Sequence, residues 1–228
     1  MSVSDVTAFY NTNVKRQKEA YMDTNYNIYS IHYSCNGFYK GGAIAPTICC
    51  IAMYNVKTEE LKSFSLLDGI IQGKSIIESE QMLLQSFTEF FNSIENPFII
   101  HWRMDDLEYG FKAIMGRCGN FGIQNIDWNK MTDFNLSEFS PCGLITTLED
   151  HKCQKVTLLS GKDEATCFDK RDYNLVKLST EAKAYGIAKV FRDYINGFFY
   201  YDNNFDNNYR IVNFKEALHT YKVDKTMV

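Results

Sequence analysis

Proline is scarce in this chain, with 3 in 228 residues, and so are histidine, with 4, and tryptophan, with 2. Scarce proline beside 15 tyrosines and 17 phenylalanines excludes a disordered or linker-rich chain. No apolar run approaches the ~20 residues that cross a bilayer, and the N-terminus has no apolar signal core. The expectation is a cytoplasmic protein with no membrane partner. The histidines show neither HExxH nor His-x-x-x-His spacing, which removes the usual helical zinc pattern. No GxSxG elbow is present, and Gly161-Lys162 lacks both the upstream glycine and the following Ser/Thr of a P-loop. The 7 cysteines include no CxxC pair, so a zinc ribbon is excluded. Cys35, Cys49 and Cys50 lie in apolar strand-like runs, as reduced structural thiols do. A basic excess is missing too. The formal charge of −4 gives no global attraction to nucleic acid, so any such site is a local patch or is offset by bound metal.

What is present is an ordinary globular balance, 45% hydrophobic and 23% charged. The expected organisation is one α/β domain over residues 1–228, with a polar arm or helix over 1–26 and an Asn-, Asp- and Tyr-rich tail over 200–228. Three apolar stretches, Ile28–Gly37, Pro46–Tyr54 and Leu61–Leu66, read as an antiparallel meander with turns at Gly41-Gly42 and Asn55–Glu60. A helix over Glu78–Phe91 places Leu83, Leu84, Phe87, Phe90 and Phe91 on one face, with serine and acids at its start. Pro97 opens a fully apolar strand, Phe98–Trp102, of the kind buried on both faces and parallel to the first. A helix is expected over Asp106–Gly116. Beyond Ile123 the periodicity weakens, with helix and loop over Leu136–Leu148 and a short helix capped near Ser160 or Asp163. The spacing predicts a long amphipathic helix over Leu178–Phe199, burying Ala184, Ile187, Ala188, Phe191 and Ile195. A terminal helix near Phe214–Tyr221 completes the reading.

Two apolar strands, a third, a helix and a buried strand running into His101-Trp102-Arg103-Met104-Asp105-Asp106 form an order that resembles the ribonuclease-H-like 3′–5′ exonucleases. The likeness covers about the first half of the chain in element order and is weak towards the end. It implies a ribonuclease-H-like mixed sheet with antiparallel first three strands and flanking helices. It also implies cleavage by two metal ions held by four acidic residues, because such cations sit about 3.5–4 Å apart and need carboxylates around them. In that family the first strand carries Asp-x-Glu. The matching positions here are Ser34 and Asn36, with His32 on the same face, and neutral Ser and Asn are poor ligands for Mg²⁺. Three polar residues on one face are also what a half-exposed strand carries by default. The second acidic position matches Asp105 or Asp106, which would equally complement a helix dipole. The last matches Lys183 in Lys183-Ala184, a lysine where an aspartate belongs, or else a solvated helix lysine. Glu181 is close by but on a different helical face.

Three readings stay open. One is an exonuclease-like protein with a degenerate site, binding nucleic acid through Ser34, Asn36, His101, Trp102, Arg103 and Lys183, or binding a partner protein, with no cofactor and no efficient cleavage. The second is an active nuclease using Mg²⁺ or Mn²⁺ on Asp105 and Asp106, with Glu108 and Asp127 as further candidates, its Ser34 and Asn36 misaligned or substituted. The third is a non-catalytic subunit of a larger complex. Lysines around the carboxyl edge of the sheet would favour the first, and an exposed aromatic patch the third. Trp102, Trp128 and the tyrosines offer stacking surfaces, although packing is their commoner role.

Overall fold

A computed structural model describes residues 8, 10–37, 46–106, 109–124, 126–153, 158–203 and 208–213. The chain enters through a π-helical turn, Tyr10–Val14, and helix α1 (Lys15–Met22). It then forms β1 (Asn27–Cys35), β2 (Ile48–Asn55) and β3 (Leu61–Ser65), followed by α2 (Leu66–Ile70) and α3 (Ile76–Ser93). Next come β4 (Pro97–His101), α4 (Phe111–Asn120), β5 (Thr132–Asn135), α5 (Leu144–Asp150), α6 (Gly161–Asp169) and α7 (Tyr173–Ile195). A separate two-stranded hairpin, β6 (Phe198–Asn203) with β7 (Asn208–Asn213), ends the described chain.

The first five strands make one mixed sheet in the order β3-β2-β1-β4-β5. β1–β2 and β2–β3 are antiparallel, while β1–β4 and β4–β5 are parallel. The α/β class, the antiparallel first three strands and the flanking helices are thus as the sequence predicts. The long uninterrupted apolar character of β2 follows from its position: all eight of its residues are buried. In β1 the alternation sorts side chains between two cores. Ile31 and Tyr33 join Leu83, Leu84, Phe87, Phe91 and Ile114 of α3 and α4. Ile28 joins Ala184, Ile187, Ala188 and Phe191 of α7 on the opposite face.

Local signals explain where the helices begin. Ser75 and Glu78 form a capping box at the start of α3, one turn's reach before the expected Glu78. Asp172 caps α7 by accepting from the Leu175 N–H, so that helix starts at Tyr173, earlier than expected, and stops before Gly197, whose φ is 88°. Ser160 caps α6, as anticipated. α5 lies against α7 because Gly186 has no side chain there: a Cβ would fall 2.6 Å from Leu148 Cδ2. Buried Glu80 on α3 ties three elements together. Its Oε1 accepts from the Ile48 N–H at 2.7 Å and from Arg117 Nε of α4 at 2.8 Å.

Several expectations are corrected. Residues 102–106 form turns rather than a helix from Asp106, and α4 begins only at Phe111, after Gly110 with φ of 99°. β5 and α2 carried too little periodicity to be seen. Four residues, Thr-Asp-Phe-Asn, become a strand because β4 offers a free edge. The N-terminal arm is anchored, with Val14 in the α7-side core and Tyr21 packed edge-on to Phe191. The helix expected near Phe214–Tyr221 lies outside the described residues. All seven cysteines are free. Among the described residues no helix is long and apolar enough to cross a membrane.

Candidate functional site

The β1–β4 ladder ends at Ser30↔Ile100, but β1 runs on to Cys35. The sheet therefore splits at the carboxyl ends of these two parallel strands, the place where an open α/β sheet normally holds a ligand. A cleft of about 480 Å³ occupies the split. His32 and Ser34 form its β1 side, and Lys183 of α7 its back. The start of α5 (Leu144, Ile145), Leu159 on the approach to α6 and Glu164 in its first turn cover it, and Trp102, Arg103, Asp106 and Tyr109 form its rim.

The β1 face towards α7 is polar yet buried, so each group needs a partner. Ser30 Oγ donates to the Ala184 carbonyl at 2.7 Å. Ser34 Oγ lies 2.6 Å from Thr180 Oγ1. Thr180 gives its own proton to the Val176 carbonyl at 2.8 Å, so Ser34 is the donor of that pair. His32, between them and 4% exposed, has no partner for either ring nitrogen among the described residues. Burial, and then the nearby Lys183 charge, hold its imidazole well below the ordinary histidine range, so it is neutral.

Lys183 is 3% exposed and donates to Glu164 Oε1 at 2.6 Å. The same oxygen accepts from Ser179 Oγ at 3.3 Å, and Ser179 Oγ accepts from the Leu159 N–H at 3.0 Å. This relay fixes the segment entering α6 onto α7. Burial pushes the Glu164 carboxyl up, and Lys183 opposes that only in part. At the other wall Tyr109 stacks on Tyr33 with ring centroids 4.6 Å apart. Tyr109 Oη donates to the Tyr33 carbonyl at 3.1 Å, and the Gly110 N–H donates to Tyr33 Oη at 3.0 Å. Burial raises both phenols.

The residues singled out from sequence are dispersed differently from expectation. Ser34 reaches the cleft, but its hydroxyl is spent on Thr180. Asn36 does not reach it: its Oδ1 accepts from the Thr47 N–H at 2.9 Å and closes the β1–β2 connection. A bulge between Ser34 and Cys35 ends the alternation there, so the pair sharing the cleft face is His32 and Ser34, not Ser34 and Asn36. Nor is β1 half-exposed; it is the central strand, covered by α7. Trp102 and Arg103 line the rim. His101 does not. It is buried, its Nδ1 accepting from the Met104 N–H at 3.2 Å and its Nε2 donating to Asp133 at 3.2 Å, which braces the turn after β4. Asp106 borders the cleft, whereas Asp105 turns away and accepts from Asn135 Nδ2 at 3.1 and 3.2 Å. Asp127 caps the 3-10 turn Trp128–Lys130 and does not line the cleft. Glu108 lies outside the described residues. Lys183 is buried and ion-paired, not solvated. Glu181 instead accepts from Ser63 Oγ at 2.5 Å, towards β3.

Glu164 and Tyr109 were missed. An acid in the first turn of a capped helix looks like an ordinary complement to the dipole, so nothing in the sequence marked Glu164 as buried. Neither a protein-family model nor a curated protein matches this chain. The cleft has to be understood from its own chemistry.

Proposed function

We propose that this chain is a ribonuclease-H-like domain that binds the end of a single-stranded nucleic acid in the β1–β4 cleft and leaves it uncut. The observation that carries the reading is the buried Lys183–Glu164 pair at the back of the cleft. Where the resemblance calls for an aspartate on the last helix, an ammonium is clamped in place. The strand order β3-β2-β1-β4-β5 and the cleft at the strands' carboxyl ends support the same reading.

Such exonucleases work with a pair of divalent cations, and the donors here do not fit one. Lys183 holds one oxygen of Glu164, Ser34 has donated its proton to Thr180, and His32 is a single neutral imidazole. An ammonium beside Glu164 repels a cation rather than attracting it, and the described lining adds one further carboxylate, Asp106 at the rim, where a two-cation centre needs several. No cleavage step is therefore derived. What the rim offers is binding chemistry: the half-buried Tyr109 presents aromatic surface to a base, Trp102 lies behind it in the core with little surface free, and the exposed Arg103 guanidinium suits a backbone phosphate.

The test is fluorescence anisotropy with 5′-labelled single-stranded DNA and RNA, with and without Mn²⁺, followed by gel analysis of the same samples. Binding without shortening, weakened by Arg103→Ala, is expected. Cleavage by the unmodified chain would overturn the proposal and return attention to Asp106 as a metal ligand. A second reading, an interaction subunit, draws on the aliphatic surface of Ile71 and Ile77, 74% and 67% exposed, at the entry to α3. It takes the lead if no oligonucleotide binds.

A further inference from the structure

Building on that reading of the cleft, we infer that the ligand enters base-first: the neutral, planar end of a nucleotide lies inside against His32, its phosphate stays outside at Arg103, and no divalent cation takes part.

His32 carries the argument. Ser30 and Ser34 share its face of β1 and both are hydrogen-bonded, while His32 alone is buried with both ring nitrogens unpaired. An unpaired buried polar group is costly, so a ligand that bonds it recovers that cost on binding. Both ring nitrogens are covered by their neighbours, so a base bonds them only as the ring turns towards the cleft, where it offers one N–H donor and one acceptor, which suits the mixed edge of a nucleobase. The Lys183–Glu164 pair adjoining it adds ammonium protons and carboxylate oxygens with no net charge. A phosphate pushed to this depth would lose its hydration and meet a carboxylate, with no surplus positive charge to hold it. A base would not. The cover from Leu144 and Leu159 is apolar, and about 480 Å³ is within the usual range for a small-molecule site.

Among the described lining residues, positive charge without an ion-pair partner lies at the mouth, on Arg103, which shares the rim with the Asp106 carboxylate. Arg103 is exposed, and its guanidinium has no ion pair or hydrogen bond among the described residues. Its backbone is held in the left-handed region, φ 54°, and its N–H donates to Asn135 Oδ1 at 3.1 Å. This arrangement is the reverse of a two-cation centre, which would draw the phosphate inward.

The experiment is calorimetric titration of the full chain with the four ribonucleosides, their 5′-monophosphates and inorganic phosphate, each with and without EDTA. Labelled oligonucleotide binding is measured in parallel. For at least one base, nucleoside and nucleotide both bind, EDTA changes neither, and inorganic phosphate does not displace the nucleoside. Arg103→Ala lowers the nucleotide's affinity roughly 10-fold, to the nucleoside's level, and leaves the nucleoside unchanged. His32→Phe lowers both roughly 10-fold. Because that variant alters a buried position, the ¹⁵N shifts of the His32 ring in the unmodified chain are followed as well; they move when nucleoside is added. Binding of nucleotide without nucleoside, displacement by phosphate, or loss in EDTA would each overturn the inference. So would oligonucleotide binding with no nucleoside binding and an unmoved His32 ring, although that result would leave the proposed function standing. If no oligonucleotide binds, both fall.

Discussion

Replacing His32 with phenylalanine should flatten the acid side of the stability profile. The folded imidazole is held neutral, its proton affinity lowered first by burial and then by Lys183. In the unfolded chain it titrates at about 6.5. Because the native pKa is the depressed one, the unfolded state gains protons first as pH falls. The stability is therefore complete above the unfolded value and is lost below it. One unit below, at about pH 5.5, the unfolded ring is roughly nine-tenths protonated, worth RT ln 11 or about 1.4 kcal/mol against almost nothing at about pH 7.5. Glu164 faces the same cleft with its carboxyl pushed up, which acts in the opposite sense on the acid side, and His101 and His151 keep their carboxylate partners in both proteins. The diagnostic quantity is consequently the difference between wild type and His32→Phe. Urea denaturation at the two pH values should show wild type losing about 1.4 kcal/mol more than the variant. Parallel losses would mean that His32 protonates in the folded protein as easily as in the unfolded one, and the account of a buried, unpartnered ring would be wrong.

Lys183→Met leaves Glu164 buried without its cation and should cost about 3–5 kcal/mol, whereas Lys183→Met with Glu164→Gln should recover most of that. Chemical denaturation of both variants checks it, and equal losses would refute the coupling. Gly110→Ala combines a φ of 99° with a Cβ driven into the Met104 carbonyl, so a loss on the order of 3 kcal/mol is expected in thermal unfolding. Ser75→Ala removes the capping box of α3 at about 1 kcal/mol; an unchanged melting temperature would show that the cap is not needed.

The sheet was legible wherever burial on both faces left a long apolar signature, as in β2 and β4, or where a cap marked a boundary, as at Ser160. β5 was not legible, since four mixed residues become a strand only by lying beside β4. The site was legible in part for the same reason. Trp102, Arg103 and Asp106 follow a strand end, and Lys183 was marked only by the resemblance, as a lysine where an aspartate belongs. What a linear reading could not supply was distance across the fold. Glu164 meets Lys183 only because α6 folds back along α7, and the choice between Asp105 and Asp106 depends on a turn whose shape Arg103 and Gly110 determine together. Asn36 looked equivalent to Ser34 by parity alone, and one bulge was enough to remove it.

The split between β1 and β4 also leaves a stretch of strand backbone without a neighbour in the middle of a sheet. Unsatisfied strand edges invite pairing with any passing extended segment, and are the usual starting point of misassembly. Here Tyr109 stands against that edge as a stopper. Its hydroxyl takes the Tyr33 carbonyl, its ring lies flat on the Tyr33 ring, and the next residue, Gly110, holds the Tyr33 hydroxyl. The gap is thereby divided: backbone pairing is blocked on the Tyr33 side, while the side-chain-lined space at His32 stays open. Tyr109 and Gly110, between β4 and α4, thus occupy a strand edge of the kind that otherwise invites pairing.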